Sequence, residues 1–230
     1  MKTRTPKFVY RFIPVHRLLE IIESNEISFI RHVMWEDPLE GYFVKQYIEL
    51  VNNGLHPPLR PMKYSDYTDL RFFLCCTKNQ EKDYQWRYYT PNKDGVRIKL
   101  SKLDLLNNAK KNYDIDVKPV KYENLREFDN ALNRFRKAPS QAVNNLLFYK
   151  RAEFIDEREI RFLIQTGHDS NVLPVKIDSC KVIQELLFDP RMSSRSFEVY
   201  AEFVLKKWPK IKIEHSNLYD PDRSIKYIEQ

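Results

Sequence analysis

Apolar and polar positions along this chain repeat with recognisable periods, and each period predicts an element. Lys7 to Phe12 alternates as a strand does, and Val15 to Glu23 sets Leu18, Leu19, Ile21 and Ile22 on one helical face. Ile27 to Ile30 reads as a short strand, after which Trp35-Glu36-Asp37-Pro38-Leu39-Glu40-Gly41 breaks the pattern. Phe43, Tyr47 and Leu50 recur at helical spacing until Asn52-Asn53-Gly54 stops the helix ahead of a Pro-rich stretch from His56 to Pro61. Leu70 to Cys76 is continuously apolar and bounded by charges, which fits a buried strand with Thr77 at its end. Asp94-Gly95 signals a turn, Val96 to Leu100 a strand, and Ser101 caps a helix running to Lys111. Val117 to Tyr122 reads as one strand, and Leu125 to Tyr149 as mostly helical with a break at Ala138-Pro139-Ser140.

The second half continues in the same mixed manner. Glu159 to Gln165 sets Glu159, Arg161 and Gln165 against Ile160, Phe162 and Ile164, the period of a strand with two unlike faces, one of them open to chemistry. Val172 to Ile177 carries Pro174 and so suits a sheet edge, whereas Val182 to Phe188 suits an interior position. Ser193 to Lys207 is an amphipathic helix with Phe197, Tyr200, Phe203 and Val204 inward, and Ile211 to Glu214 closes the sheet. Strands and helices intermixed in this way predict an α+β fold, a twisted mixed or antiparallel sheet flanked by helices.

Composition narrows the picture. At 230 residues with 42% hydrophobic and 13% aromatic side chains, residues 1–230 are expected to form one core and a single domain. No apolar run approaches the ~20 residues that cross a bilayer. Charges at Lys7 and Arg11 interrupt the stretch where an export signal needs its apolar segment, so a soluble, cytoplasmic protein is expected. Three cysteines, Cys75, Cys76 and Cys180, match neither a disulfide framework nor a zinc spacing, and read as buried reduced thiols. The excess of 39 basic over 32 acidic residues points towards a polyanionic partner, RNA or DNA, with basic clusters at Lys110-Lys111, Arg134 to Lys137 and Lys206-Lys207.

The glycines exclude more than they offer. With only Gly41, Gly54, Gly95 and Gly167, neither a phosphate-cradling P-loop nor a dinucleotide-binding G-x-G-x-x-G can be written. Esterase, zinc-protease and calcium-loop motifs are missing too, and the five histidines stand apart in sequence, each reading as a surface or structural residue.

What remains is a set of polar residues that interrupt apolar segments: Arg11 in a strand, Asp37 with Glu40, Thr77 at a strand end, and Glu157 with Glu159. Polar groups so placed need partners. Their order, Tyr10-Arg11, Asp37-Pro38-Leu39-Glu40, Cys75-Cys76-Thr77, Trp86-x-x-Tyr89 with Gly95, and Lys150 ahead of Glu157-x-Glu159-x-Arg161, resembles the bacterial domain of unknown function 2971 family. The resemblance runs from the first strand to about Leu205. The chain departs from that family at Glu36, where Asn is usual, and at Phe154, where Trp is usual.

More distantly, the same order resembles the arginine-serine-glutamate ADP-ribosyltransferases. That resemblance implies an ADP-ribosyltransferase-like split β core and NAD as the substrate cofactor, with Arg11 as the first-strand Arg, Thr77 as the hydroxyl, and Glu157 and Glu159 as the Glu-x-Glu pair. It implies a glycosyltransferase-class enzyme that modifies nucleic acid, RNA before DNA, or protein, as the toxin of a bacterial phage-defence or toxin–antitoxin system with an antitoxin partner. In chemical terms, Glu159 would stabilise the oxocarbenium-like state formed as nicotinamide departs, and Glu157 would orient or deprotonate the attacking group. Arg11 would grip the pyrophosphate and Thr77 hold the ribose or Arg11, with Asp37 and Glu40 lining the cofactor. Trp86 or Tyr89 would stack on nicotinamide or a base.

Plainer readings stand beside these. The Glu157 to Arg161 stretch also fits a solvated, salt-bridged strand surface, and Arg11 an ion-pair partner of Asp37 or Glu40. Asp37-Pro38 fits a helix start, and Trp86 with Tyr89 fits a packed core. Two other functions remain open: a divalent-metal nuclease using Asp37, Glu40, Glu157, Glu159 and Lys150, and a non-catalytic nucleic-acid-binding module.

Overall fold

The computed structural model describes residues 6–35, 40–54, 60–124 and 144–220. The architecture is α+β, as the mixed periods predict, and it divides into two compact units, each assembled from separated stretches of chain. The first comprises residues 1–27, 77–111 and 175–230, and the second residues 28–76 and 112–174.

In the first unit, β1 (Phe8–Pro14) leads directly into α1 (Val15–Ser24), whose Val15, Leu18, Ile21 and Ile22 are buried. β4 (Gly95–Ser101) pairs antiparallel with β1 along its whole length, from Phe8 opposite Ser101 to Pro14 opposite Gly95. On its other side β4 pairs antiparallel with β10 (Ile183–Phe188), and β10 runs parallel to β11 (Lys212–His215). Ser101 caps α5 (Lys102–Ala109), its hydroxyl accepting from the Asp104 amide. A short α4 (Asp83–Tyr89) lays Trp86 edge-on against Phe12, with ring centroids 4.7 Å apart. Gly95 is required here by space, since a Cβ would stand 2.4 Å from the Thr90 hydroxyl oxygen.

α6 (Ser179–Val182) and α7 (Ser194–Lys207) complete this unit. The inward stripe expected of α7 is only partly covered. Val204 is buried and Phe197 and Tyr200 ring-pack on Phe188, but Phe203 remains 37% exposed. Cys180 is also exposed, contrary to the expectation of a buried thiol, because it sits on the four-residue α6; Cys75 is half-buried and Cys76 buried.

The second unit is built around β3 (Arg71–Thr77) and β8 (Glu159–Gln165), which pair with each other. β2 (Glu26–Arg31) pairs antiparallel with β3 through Ile30 opposite Phe73, and β5 (Ile115–Pro119) pairs antiparallel with β8. Thr77, the last residue of β3, falls in the first unit opposite Tyr10. α2 (Tyr42–Asn52) packs Phe43, Val44, Tyr47 and Ile48 with Phe73, Leu147 and Leu163 into this unit's core; α3 (Ser65–Thr68) is a single turn.

The strand expected over Val117 to Tyr122 is two strands. After β5 the Val120 amide donates to the Glu159 carbonyl, and Lys121 turns to the Phe148 carbonyl instead, so the chain changes partners. The resulting β6 (Lys121–Glu123) pairs in parallel with β7 (Tyr149–Arg151), which faces Tyr122 with Lys150. The helix expected from Leu125, its break at Ala138-Pro139-Ser140, and the Arg134 to Lys137 cluster lie outside the described residues. No described helix is long and apolar enough to cross a membrane.

Candidate functional site

Chemistry concentrates at the start of β8. A 3-10 turn over Ala152–Glu157 ends at Arg158, whose backbone is left-handed (φ 45°, ψ 47°), and the strand begins at the next residue. For a non-glycine residue this conformation is uncommon and is held by its surroundings. Its effect is to send Glu157 and Glu159 towards the same lysine. Lys150 Nζ stands 2.8 Å from Glu157 Oε2, 3.2 Å from Glu40 Oε2 and 3.9 Å from Glu159 Oε2.

Arg161 closes the network from within the strand. Its Nε donates to Glu159 Oε1 at 2.9 Å and a terminal nitrogen to Oε2 at 3.0 Å, a two-pronged grip on one carboxylate. The same guanidinium donates to Glu40 and, at 2.6 Å, to the Leu147 carbonyl, and it lies 4.5 Å from the centroid of the Trp35 ring. Glu40 thus bridges the two cations, one oxygen on Arg161 and the other on Lys150. The Tyr122 hydroxyl accepts from the Glu159 amide at 2.8 Å, which ties the first residue of β8 to β6.

Burial makes this cluster costly and fixes its charge states. Glu159 is pushed up by burial, yet the Arg161 guanidinium and Lys150 more than reverse this and hold it below the ordinary carboxylate range; the Cys75 thiol also donates to it. Glu157 goes the other way: burial raises it further than Lys150 lowers it. Lys150 and Arg161 both rise above their ordinary ranges, since the surrounding carboxylates outweigh their desolvation. Three carboxylates therefore face two cations, an excess of one negative charge.

A neighbouring aromatic group completes the surroundings. Buried His32 stacks 4.2 Å from Trp35, meets the Tyr64 hydroxyl at 3.0 Å, and is depressed to about 3 by desolvation and by the charge of Arg161. Gly41 leaves room for Tyr64, because a Cβ there would fall 1.8 Å from the Tyr64 hydroxyl. Phe154, where the resembled family usually has Trp, keeps the aromatic role, with Lys150 Nζ 4.5 Å from its ring centroid.

The other residues singled out in sequence belong to the first unit or lie outside the described residues. The strand face expected to be open at β8 is closed, for every residue from Glu159 to Ile164 is buried. The solvated-surface reading fails with it, although the salt bridges it foresaw are present. In the first unit, Arg11 is half-buried on β1 opposite Ile98. Buried Thr77 accepts from the Asn79 amide at 3.0 Å. Trp86 is 0% exposed and donates to Glu81, so it has no face on which a ring can stack; Tyr89 keeps 39% of its surface. Asp37 lies outside the described residues.

Trp35, Tyr122 and His32 carry no functional signal in the sequence, because their involvement depends on tertiary contact. Lys150 and Arg161 carried a signal as charges inside otherwise apolar stretches. Among the described residues no group of three His, Cys, Asp or Glu is arranged to hold a metal ion, the glutamates being turned to Lys150 and Arg161.

The family described as protein of unknown function DUF2971 matches residues 85–162, which include Trp86, Tyr89, Gly95, Lys150, Glu157, Glu159 and Arg161, in agreement with the resemblance read from those motifs. No curated protein matches the sequence. Solved structures of DarT from Thermus sp. 2.9 are similar at low identity. The complex with ADP-ribosylated ssDNA is 13% identical, covering 93% of this chain and 95% of that one, with a TM-score of 0.38. The NAD+ complex is 13% identical over 93% and 96%, with a TM-score of 0.36. The carba-NAD+ complex is 11% identical over 92% and 96%, with a TM-score of 0.40.

Proposed function

We propose that this chain is an NAD-dependent ADP-ribosyltransferase acting on nucleic acid, RNA before DNA, or on protein, as a single catalytic domain in the cytoplasm. The observation that carries the reading is Glu159, a buried carboxylate kept ionised by Arg161 and Lys150 beside a second carboxylate, Glu157, whose proton affinity is raised. A fixed negative charge in a poorly solvated place is what a developing oxocarbenium ion requires.

The residues offer NAD chemically suited groups. A carboxylate takes a ribose hydroxyl, a guanidinium such as Arg11 takes pyrophosphate, and the exposed ring of Tyr89 accepts a stacked heterocycle. As the bond from the ribose C1′ to the nicotinamide nitrogen breaks, its electron pair leaves with neutral nicotinamide, and the acceptor oxygen or nitrogen bonds to C1′. The acceptor's proton passes to Glu157, whose proton affinity burial raises above that of an ordinary carboxylate. The roles of Arg11 and Thr77 rest on motif resemblance. So does a place in a phage-defence or toxin–antitoxin system, with an antitoxin as partner.

Incubation with NAD labelled in the ADP-ribose part and separate RNA, DNA and protein pools tests the reading. Label is expected in one pool, and Glu159→Gln, which keeps the side chain's shape but removes its charge and one of the two acceptors gripped by Arg161, is expected to cut transfer about 100-fold or more, with folding checked by circular dichroism. Undiminished transfer by that variant removes the proposal. Binding of nucleic acid that is indifferent to Glu159→Gln, with no label transferred by the parent protein, supports instead a non-catalytic binding module, in which the mutual saturation of Glu40, Glu159, Lys150 and Arg161 is structural.

A further inference from the structure

The chain's basic excess is confined to one unit. The first unit contains 24 Lys and Arg against 16 Asp and Glu, the second 15 against 16, which together make the chain's 39 and 32. Within the first unit, one sheet face gathers part of that excess. Directly opposed residues share a face, and the pairings place Phe8, Tyr10 and Phe12 of β1 with Ser101, Lys99 and Arg97 of β4, then Glu185 of β10 and Lys212 of β11.

The Phe8 end of this face is bordered by lysines. Lys7 and Lys99 both hold their ammonium groups near the Phe8 ring, 5.2 and 4.8 Å from its centroid. The Lys102 amide donates to the Lys7 carbonyl, which fixes a third lysine beside them. Lys78 is near enough that, after burial, its charge is what lowers Lys102. Against these stand Glu185, already claimed by Arg97, and Glu214, paired with Lys212. Lys99 reaches Glu185 only at 3.4 Å, so its ammonium is loosely held; Lys212 pairs with Glu214 at 3.0 Å but keeps more than half of its side chain exposed.

We propose that this lysine-bordered end of the first unit's sheet seats a single-stranded nucleic acid, with a base on Phe8 and phosphates on Lys7, Lys99, Lys102 and Lys212. Deepening the nucleic-acid branch of the function proposed above, it rests on that reading for the chemistry but not for the binding. A half-buried ring among mobile cations suits a flexible polyanion with flat apolar groups: every base has a face to stack, and every phosphate a charge to neutralise. A base arriving on Phe8 displaces one ammonium, which is then beside the phosphate it has to meet. A paired duplex has no splayed base to offer, and a lipid surface has no ring to stack.

Fluorescence anisotropy with short labelled single-stranded RNA and its DNA counterpart, the same sequence as duplex, and phosphatidylserine vesicles tests this at several salt concentrations. Single strands are expected to bind more tightly than duplex. The Lys7→Gln/Lys99→Gln double variant is expected to weaken binding at least tenfold and to flatten the slope of log affinity against log salt by about 1.4, about 0.7 per lost contact. Phe8→Leu is expected to weaken binding with the slope unchanged. If that variant does not fold, the Lys7→Gln/Lys99→Gln variant decides. Unaltered binding by the double variant, or binding of vesicles but not of oligonucleotides, overturns the proposal. Hydrolysis of NAD without acceptor is expected to persist in the lysine variant. A parent protein that binds strands through these lysines yet neither hydrolyses NAD nor transfers label sinks the function proposed above and leaves this surface standing.

Discussion

Each unit buries an arginine among carboxylates and lays it on an aromatic ring, and the two arrangements differ in the sign of what is left over. In the second unit Arg161, 4.5 Å from Trp35, shares Glu40 and Glu159 with Lys150, which also holds Glu157. In the first, Arg97, 5.0 Å from Tyr10, shares the single carboxylate of Glu185 with Lys99 and Lys212. Burial lowers both arginines, but Glu159 and Glu40 reverse this for Arg161, whereas Glu185 does not do so for Arg97, whose Nε is also buried without a hydrogen-bond acceptor. A surplus of acid is kept inside, beside Glu157, whose proton affinity is raised first by burial. A surplus of base is turned outwards, where Lys212 is more than half exposed. Under the two proposals above, the same side-chain chemistry serves a reacting centre in one place and attraction of a polyanion in the other.

The sharpest way to break this comparison is to remove each arginine in turn. Arg161→Met strands Glu159 and Glu40 in the interior and is expected to cost about 3–5 kcal/mol, read by urea unfolding. Arg97→Met leaves Glu185 two lysines and is expected to cost less, about 1–3 kcal/mol. Hydrogen exchange in peptides of each unit locates the two losses, and equal costs would dissolve the distinction.

His32 gives a pH-dependent effect of the next size. Its folded value of about 3 lies below the ordinary 6.5, so the stability it contributes is complete above pH 6.5 and is lost as pH falls from there towards 3. The slope is expected to approach about 1.4 kcal/mol per pH unit and to vanish in His32→Gln. The smallest effect separates the two glutamates. Glu159, depressed, stabilises above its unfolded range near 4.5 and loses that contribution as pH falls through its lower folded value. Glu157, raised, gains on acidification. The two partly cancel, so Glu157→Gln is expected to steepen the acid limb of a urea-midpoint titration.

Periodicity revealed most strands and helices because each follows from burial on a known face: Val15 to Ser24 and the Ser101 cap are local matters. Val120 could not be foreseen as a break, since the switch depends on the Phe148 carbonyl arriving from a distant stretch. Alternation at Glu159 and Arg161 announced two faces, but only tertiary packing covers the polar one, with Trp35, Cys75 and Tyr122. Glu40 and Glu157 were visible as acids near structural breaks. Their common partner Lys150 stood in the motif order ahead of Glu157, but nothing local showed which acids it would hold, and Trp86, grouped with Tyr89 by spacing, is separated from it by burial.

The interleaving of the units governs when each can finish folding. The sheet of the first unit joins Phe8 to Ser101, then Ile183 to Leu100, then Phe188 to His215, so β1 waits for the residues of β11 before that sheet closes. Leu163, needed beside Phe43 and Phe73, likewise arrives late for the second. Contacts this distant in sequence slow folding and prolong the exposure of apolar strands such as Phe72 to Cys76 before their partners arrive.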